Sequence, residues 1–429
     1  FEKPLAVFKP RTVEQLRVFV ELASDYQIKI TTRGKGNSAF GQAQVHDGIV
    51  VDLSHLYINP HYTSREATAV TVPACYTWQQ LTEFTKEKNK TVPVTIDNLD
   101  LTLAGTLNFG ALGGPSYLKG SGADNIVAME VMTLKGQTFR CSIGENRDLF
   151  QAMLCGLGQF GIILSVTVPL ETAKAHVNKY LLTYDDIQTF LRDQKFLFDA
   201  KVFDHLKGYA KKIDNKWEYL IEAATYFDKE EDPQVQTHLN CLKPDSRDCA
   251  NTPYWDFINE VTGFVGMLKT ANKWDVPHPW YNVLMPERTV EEHITKVLDT
   301  SFLTGQEPIV IYPMNAKHFN QPLFVKPESD TFYLVRVLYN TSFEAKDDYP
   351  FNEVLERNKA LYLEAKEKGG CRYPVDAIPF TTHDWVEHYG DKWGHMLRLK
   401  QIYDPQILLG SGFYIFEQEG AKLKNKLGL

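Results

Sequence analysis

Apolar positions in the first third of the chain alternate between two periods. Leu5-Ala-Val-Phe-Lys-Pro reads as a short strand that ends at a proline. After Thr12, residues Val13, Leu16, Val20 and Ala23 recur at three- and four-residue spacing and share one face of a helix. Gln15 is placed to complete a capping box with Thr12. Strand-like runs follow at Gln27-Ile-Lys-Ile-Thr-Thr and Gly48-Ile-Val-Val-Asp-Leu, which predicts a β-α-β unit. A second helix opens at Thr77 with Gln80 three residues on. Residues 120–140 predict a strand-turn-strand around Lys135-Gly136-Gln137. Residues 146–155 predict a helix closed by Gly156, followed by a β run ending near Leu170.

From about residue 171 to 383 the character changes. Aromatic-rich strand runs at Trp217-Glu-Tyr-Leu-Ile-Glu-Ala-Ala-Thr-Tyr-Phe, Pro308-Ile-Val-Ile-Tyr-Pro and Thr331-Phe-Tyr-Leu-Val-Arg-Val-Leu-Tyr alternate with helical patterns such as 290–298. An antiparallel sheet covered by helices is the simplest packing. Polar breaks are expected at 243–251 and 346–349. The tail from His383 predicts a helix over 391–402 and a closing segment from Tyr403.

The turn between the second and third predicted strands carries the first chemical signal. In TTRGKGNSAFGQ (Thr31 to Gln42), Gly34, Gly36 and Gly41 let backbone N–H groups approach a ligand. Arg33 and Lys35 add positive charge, and Ser38 and Gln42 add side-chain donors, so a diphosphate suits the loop. Neither a P-loop ending nor the G-x-G-x-x-G spacing is present. A second stretch, PVTIDNLDLTLAGTLNFGALGG (93–114), concentrates small residues that suit backbone lying against a flat ligand.

Composition narrows the class. A net charge of −8 with no basic run argues against a nucleic-acid partner, and no apolar stretch approaches the about 20 residues needed to span a bilayer. A soluble protein is expected, compatible with cytoplasm or export. The chain opens at Phe1 rather than Met, so a preceding N-terminal piece is expected. The six cysteines show no metal-ligand spacing. Cys241 and Cys249 flank a polar loop and could be bridged or be two separate thiols. Asn89 and Asn340 begin glycosylation sequons.

RGKGNSAFGQA followed by GIVVDL resembles the FAD-binding loop of vanillyl-alcohol-oxidase-type flavoproteins. IDNLDLTLAGTLN, ENRDLFQAMLCGLGQFGII, FLRDQKFL, VPHPWYN, PIVIYPMN and HYGDKWGHMLRLKQIYDP are similar to one branch, cytokinin dehydrogenase, in the family's order and across nearly the whole chain. The resemblance implies an α+β, two-domain fold of the PCMH type. The FAD-binding domain would take 1–170 and 384–429, and an inserted substrate domain 171–383. It implies FAD with its diphosphate on Gly34, Lys35, Gly36, Asn37 and Ser38, next to Arg33 and Gln42. The flavin and ribityl chain would run along Asp97, Thr102, Asn108 and Gly113, and the Ile162 backbone would meet the adenine part.

The activity implied is oxidative removal of the N6 side chain of an adenine, with a hydride leaving for flavin N5 and the imine hydrolysing to adenine and an aldehyde. Asp97 matches the catalytic aspartate, although Ile-Asp-Asn taken locally reads as a turn. Trp280 and Asn282 match substrate-pocket positions, while His278 is expected to be structural. An organic acceptor such as a quinone, a monomer and no metal are implied as well.

Several positions depart from the family pattern. Asn37 stands where the family has its flavin-linking histidine, so noncovalent FAD is expected. Asn98 replaces a tyrosine, Ala377 removes a ring near the flavin, and Ile378 replaces a pocket leucine. Leu409-Gly-Ser-Gly-Phe loses a serine and a glutamine that contact the cofactor. Two other readings are a flavin oxidase or dehydrogenase of another amine or alcohol, and a silent flavin- or purine-binding protein. Retention of Asp97 weighs against the second.

Overall fold

The computed structural model describes residues 3–272, 274, 276–299, 303, 307–339 and 350–417. Asn340 and the polar stretch 346–349 lie outside them. Three strands form a parallel sheet in the spatial order Ala6–Phe8, Gly48–Asp52, Lys29–Arg33. Helix Val13–Asp25 connects the two outer strands and buries Leu16, Val20 and Ala23 beside Ile30 and Val51. Thr12 caps it by accepting from the Gln15 N–H (3.2 Å), but the Gln15 side chain reaches the N–H of Arg11 rather than that of Thr12. At Thr77 both halves of the box form.

A five-stranded antiparallel sheet follows, ordered His61–Tyr62, Ala69–Pro73, Ile162–Pro169, Ala128–Met132, Thr138–Ser142. The third sheet has eight strands: Ser246–Pro253, His176–Tyr184, Lys216–Phe227, His205–Ile213, Ile309–Asn315, Thr331–Val337, Tyr281–Pro286 and Cys371–Arg372, all antiparallel. The polar run 243–251, expected as a break, supplies most of the edge strand Ser246–Pro253, which is exposed almost throughout. An edge needs backbone partners on one side only, and polar side chains discourage further pairing. Neither face is buried, so hydrophobic periodicity carries no trace of it.

The central strands read as continuous apolar runs because both faces are covered. Tyr281, Val283, Ile309, Ile311, Tyr333 and Val335 pack in one core with helices Ile187–Ala200, Glu287–Leu298 and Phe351–Glu367. Their neighbours Leu284, Val310, Tyr312, Phe332 and Leu334 turn the other way, into a core shared with the five-stranded sheet. This second face positions the site. Tyr209 stands opposite Val310, Val310 opposite Arg336, and Arg336 opposite Asn282, one row across four strands.

The C-terminal segment is tied back to the first sheet. Helix Trp393–Tyr403 carries Lys400, whose ammonium donates to the carbonyls of Gln159 and Leu409 and pairs with Asp404, all at 2.8 Å. Asp404 in turn accepts from the N–H groups of Leu408 and Leu409, and Leu409 bridges to Ile30. Lys400 and Asp404 are 2% and 1% exposed. Removing one partner leaves the other charge buried and unmatched. Lys400→Ala is therefore expected to lose roughly 3–5 kcal/mol, read as a lower urea midpoint. A midpoint equal to that of the parent protein would contradict it.

Candidate active site and cofactor cradle

A cavity of about 490 Å³ lies between the glycine loop and the 96–112 segment on one side and the eight-stranded sheet on the other. Helix Tyr254–Thr270 roofs it with Val261, Phe264, Val265 and Leu268. The volume is that of a small-molecule site.

The cradle begins where the strand Lys29–Arg33 ends. A Cβ on Gly34 would stand 2.2 Å from the Thr102 hydroxyl, so only glycine lets the loop lie on the second stretch. Thr102 caps the short helix Leu103–Leu107 through the Gly105 N–H. Asn108 donates to the Ala104 carbonyl and accepts from the Gly158 N–H, which fixes the cavity floor. The loop cations are already paired within the protein, Arg33 with Asp52 (3.1 Å) and Lys35 with Asp100 (3.0 Å). Asp100 also holds Lys269 of the roof helix. Gln42 spends its amide on Phe40 and the Asp376 carbonyl.

Eleven of the residues expected from the sequence line this cavity: Arg33, Gly34, Lys35, Gly36, Asn37, Ser38, Gln42, Asp97, Thr102, Asn108 and Trp280. Two of them fit a bound dinucleotide and its partner. The Asn37 amide nitrogen and the Trp280 indole N–H are buried on the cavity wall without a hydrogen-bond partner among the described residues. Buried donors are usually satisfied, so both call for an acceptor from a ligand.

Four others do not reach the wall. Gly113 instead permits close backbone packing, since a Cβ there would stand 1.9 Å from the Thr95 carbonyl. Ile162 is 1% exposed and belongs to the core under the parallel sheet. Asn282 is fully buried and acts behind the wall, donating to the Val375 carbonyl and accepting from Arg336 Nε. Ile378 is fully buried in the helix-covered core, and Ala377 beside it is buried as well. Those two departures from the family pattern thus lie behind the pocket surface. His278 meets the Trp274 carbonyl. Cys241 and Cys249 are unbridged thiols.

Asp97 is the one acid on the cavity wall among the described residues. One carboxylate oxygen meets Lys207 Nζ at 3.1 Å and the other accepts from the Tyr312 hydroxyl at 2.6 Å. Burial pushes this carboxyl up, but Lys207, the Tyr312 hydrogen bond and the field of Arg336 outweigh it, and it lies below the ordinary value. Lys207 is 4% exposed and also pairs with Glu222 at 3.3 Å, directly opposite on the next strand. Burial opposes its charge, yet the two carboxylates hold it protonated. His205 closes the chain on Glu222 at 3.2 Å, and burial followed by Lys207 lowers its pKa, so it is neutral near pH 7. Lys207, Glu222, Tyr312 and Arg336 were not legible as site residues. The one trace was a charge alternating with apolar residues in His205-Leu-Lys-Gly-Tyr.

Two family models match the chain: one described as "FAD binding domain" over residues 4–142, and one described as "Cytokinin dehydrogenase 1, FAD and cytokinin binding" over 205–416. An uncharacterized oxidoreductase, ORF5 in the fasciation locus of Rhodococcoides fascians, is 32% identical, covering 96% of this chain and 93% of that protein. Cytokinin dehydrogenase 3 of Arabidopsis thaliana is 30% identical over 97% of this chain and 86% of its own length. Cytokinin dehydrogenase 1 of the same plant is 28% identical over 98% and 80%. This chain belongs to the cytokinin dehydrogenase family of FAD flavoproteins. The first match holds the glycine loop and Asp97, and the second begins at the strand that carries Lys207 and includes Tyr312 and Arg336. The chain is thus an FAD-dependent oxidoreductase. Among the described residues, no helix is long and apolar enough to cross a membrane.

Proposed function

We propose that this protein is an FAD-dependent dehydrogenase that removes the N6 side chain of cytokinins such as isopentenyladenine, releasing adenine and an aldehyde. The observation that carries the reading is an ionised carboxylate, Asp97, held on the wall of an aromatic cavity beside the glycine loop. FAD, when bound, supplies the two-electron acceptor for the hydride that leaves the carbon next to the exocyclic nitrogen.

Asp97 accepts the exocyclic N–H and so orients the donor carbon. Because Lys207 and Tyr312 depress its basicity, its main contribution is electrostatic, favouring the positive charge that grows on nitrogen as the hydride departs. The proton then leaves nitrogen for the carboxylate, and water adds to the resulting imine to separate adenine from the aldehyde. The carboxylate then passes its proton to water, a step that Tyr312 and Lys207 favour by lowering its proton affinity. Trp280 offers an indole face to the purine or the prenyl tail and an N–H to a ring nitrogen. The glycine loop, Thr102 and Asn108 would hold FAD, without a covalent bond because Asn37 is an amide. We further assign 1–170 and 384–429 to the FAD part and 171–383 to the substrate part, with an organic acceptor such as a quinone and a monomeric protein.

Anaerobic stopped-flow mixing with N6-isopentenyladenine is expected to bleach the flavin band and yield adenine. Asp97→Asn should keep FAD and bleach roughly 10²-fold more slowly. A protein that dithionite reduces but isopentenyladenine does not would exclude this substrate. Acid precipitation should release all flavin into the supernatant, whereas yellow colour in the pellet would show a covalent bond.

A further inference from the structure

Building on that reading of the cavity, we propose that Arg336 forms an anion subsite, so that ligands carrying an oxyanion, most simply a carboxylate, are preferred. Arg336 sits in the strand Thr331–Val337 on the face that lines the cavity, with apolar Val310 opposite on one side. Its Nε is pinned to the Asn282 oxygen at 3.0 Å. Asn282 is itself fully buried and anchored to the Val375 carbonyl at 2.6 Å. The Trp280 ring lies 5.9 Å from the guanidinium carbon. The fork is therefore held in place by groups that leave its two terminal nitrogens unspent among the described residues.

No carboxylate in the described residues pairs with Arg336. Asp97 is the one acid on the cavity wall among those residues, and its oxygens meet Lys207 and Tyr312 rather than Arg336, each keeping a further lone pair. A half-buried guanidinium in an aromatic cavity loses hydration, and the Asn282 oxygen, the Trp280 ring and the field of Asp97 replace only part of it. Its planar fork matches the two oxygens of a carboxylate, and such charge-assisted pairs are among the strongest hydrogen bonds. Asn282 acts as a positioning residue for this fork.

The test is equilibrium binding to the purified FAD-bound protein, followed by the change in flavin absorbance. Two matched pairs serve as probes: N6-(4-carboxybutyl)adenine against N6-pentyladenine, and indole-3-acetate against indole-3-ethanol. In at least one pair the acid should bind roughly tenfold or more tightly than its neutral mate. Arg336→Met should bring that ratio close to one, and Arg336→Gln should do the same if the methionine variant folds poorly. No acid preference in either pair would overturn the proposal, as would a preference that survives both substitutions. A changed flavin reduction potential with the ratio intact would overturn it too, because it would place the fork on the cofactor. The two pairs separate this inference from the reading beneath it. If only the indole acid shows an Arg336-dependent preference and neither purine binds, the subsite stands and the N6-adenine reading falls. If N6-pentyladenine binds and neither acid gains, the reverse holds.

Discussion

The ion pair between Asp97 and Lys207 joins two distant parts of the chain and decides the chemistry available where they meet. Asp97 comes from the segment that runs beneath the glycine loop, and Lys207 from the middle of the eight-stranded sheet. Burial alone would leave the carboxyl protonated and the amine neutral. Each group stays charged because the other is there, with Tyr312 and Glu222 completing the set. Three features serve that placement: the register that sets Glu222 opposite Lys207, the neighbouring strand that brings Tyr312, and the helices that cover the far face of the sheet.

The same cavity has a second electrostatic region of different design. Arg33 and Lys35 of the glycine loop are matched to Asp52 and Asp100, so the loop offers backbone N–H groups and the unsatisfied Asn37 amide rather than free cations. Asp100 also holds Lys269, which links loop and roof helix through one carboxylate. An anionic ligand that drew Lys35 toward itself would loosen that link. The C-terminal return adds a further constraint, since Gln159 and Lys400 clamp the 409–410 backbone against the first sheet.

Much of this was legible in the sequence for identifiable reasons. Helix starts at Thr12 and Thr77 carry their caps locally, and Gly34 marks a contact that any side chain would block. Asp97 was found through its place in an aligned motif, because Ile-Asp-Asn alone reads as a turn. Lys207 and Arg336 were missed because alternation along a strand tells which residues share a face but not what that face meets. Asn282 and Ile378 were expected in the pocket, and both lie one layer behind it; a buried amide that positions an arginine has no local signature. Gly113 and Ile162 stand near the expected surfaces in sequence, but backbone packing and the core claim them. The edge strand Ser246–Pro253 escaped because its side chains face water on both sides.

The most direct test of the central pair is the pH dependence of anaerobic flavin reduction by N6-isopentenyladenine in the parent protein and in Lys207→Met. Asp97 is held below the ordinary carboxylate value, so the parent rate should stay level from neutrality down to about pH 4 and fall only beneath it. Without Lys207 the burial that raises the carboxyl loses its main counterweight. The falling limb should then move to a higher pH, with the rate lost on acidification where the parent is still fully active. Two profiles with the same acid limb would contradict the account, because Lys207 would then have no hold on the charge of Asp97.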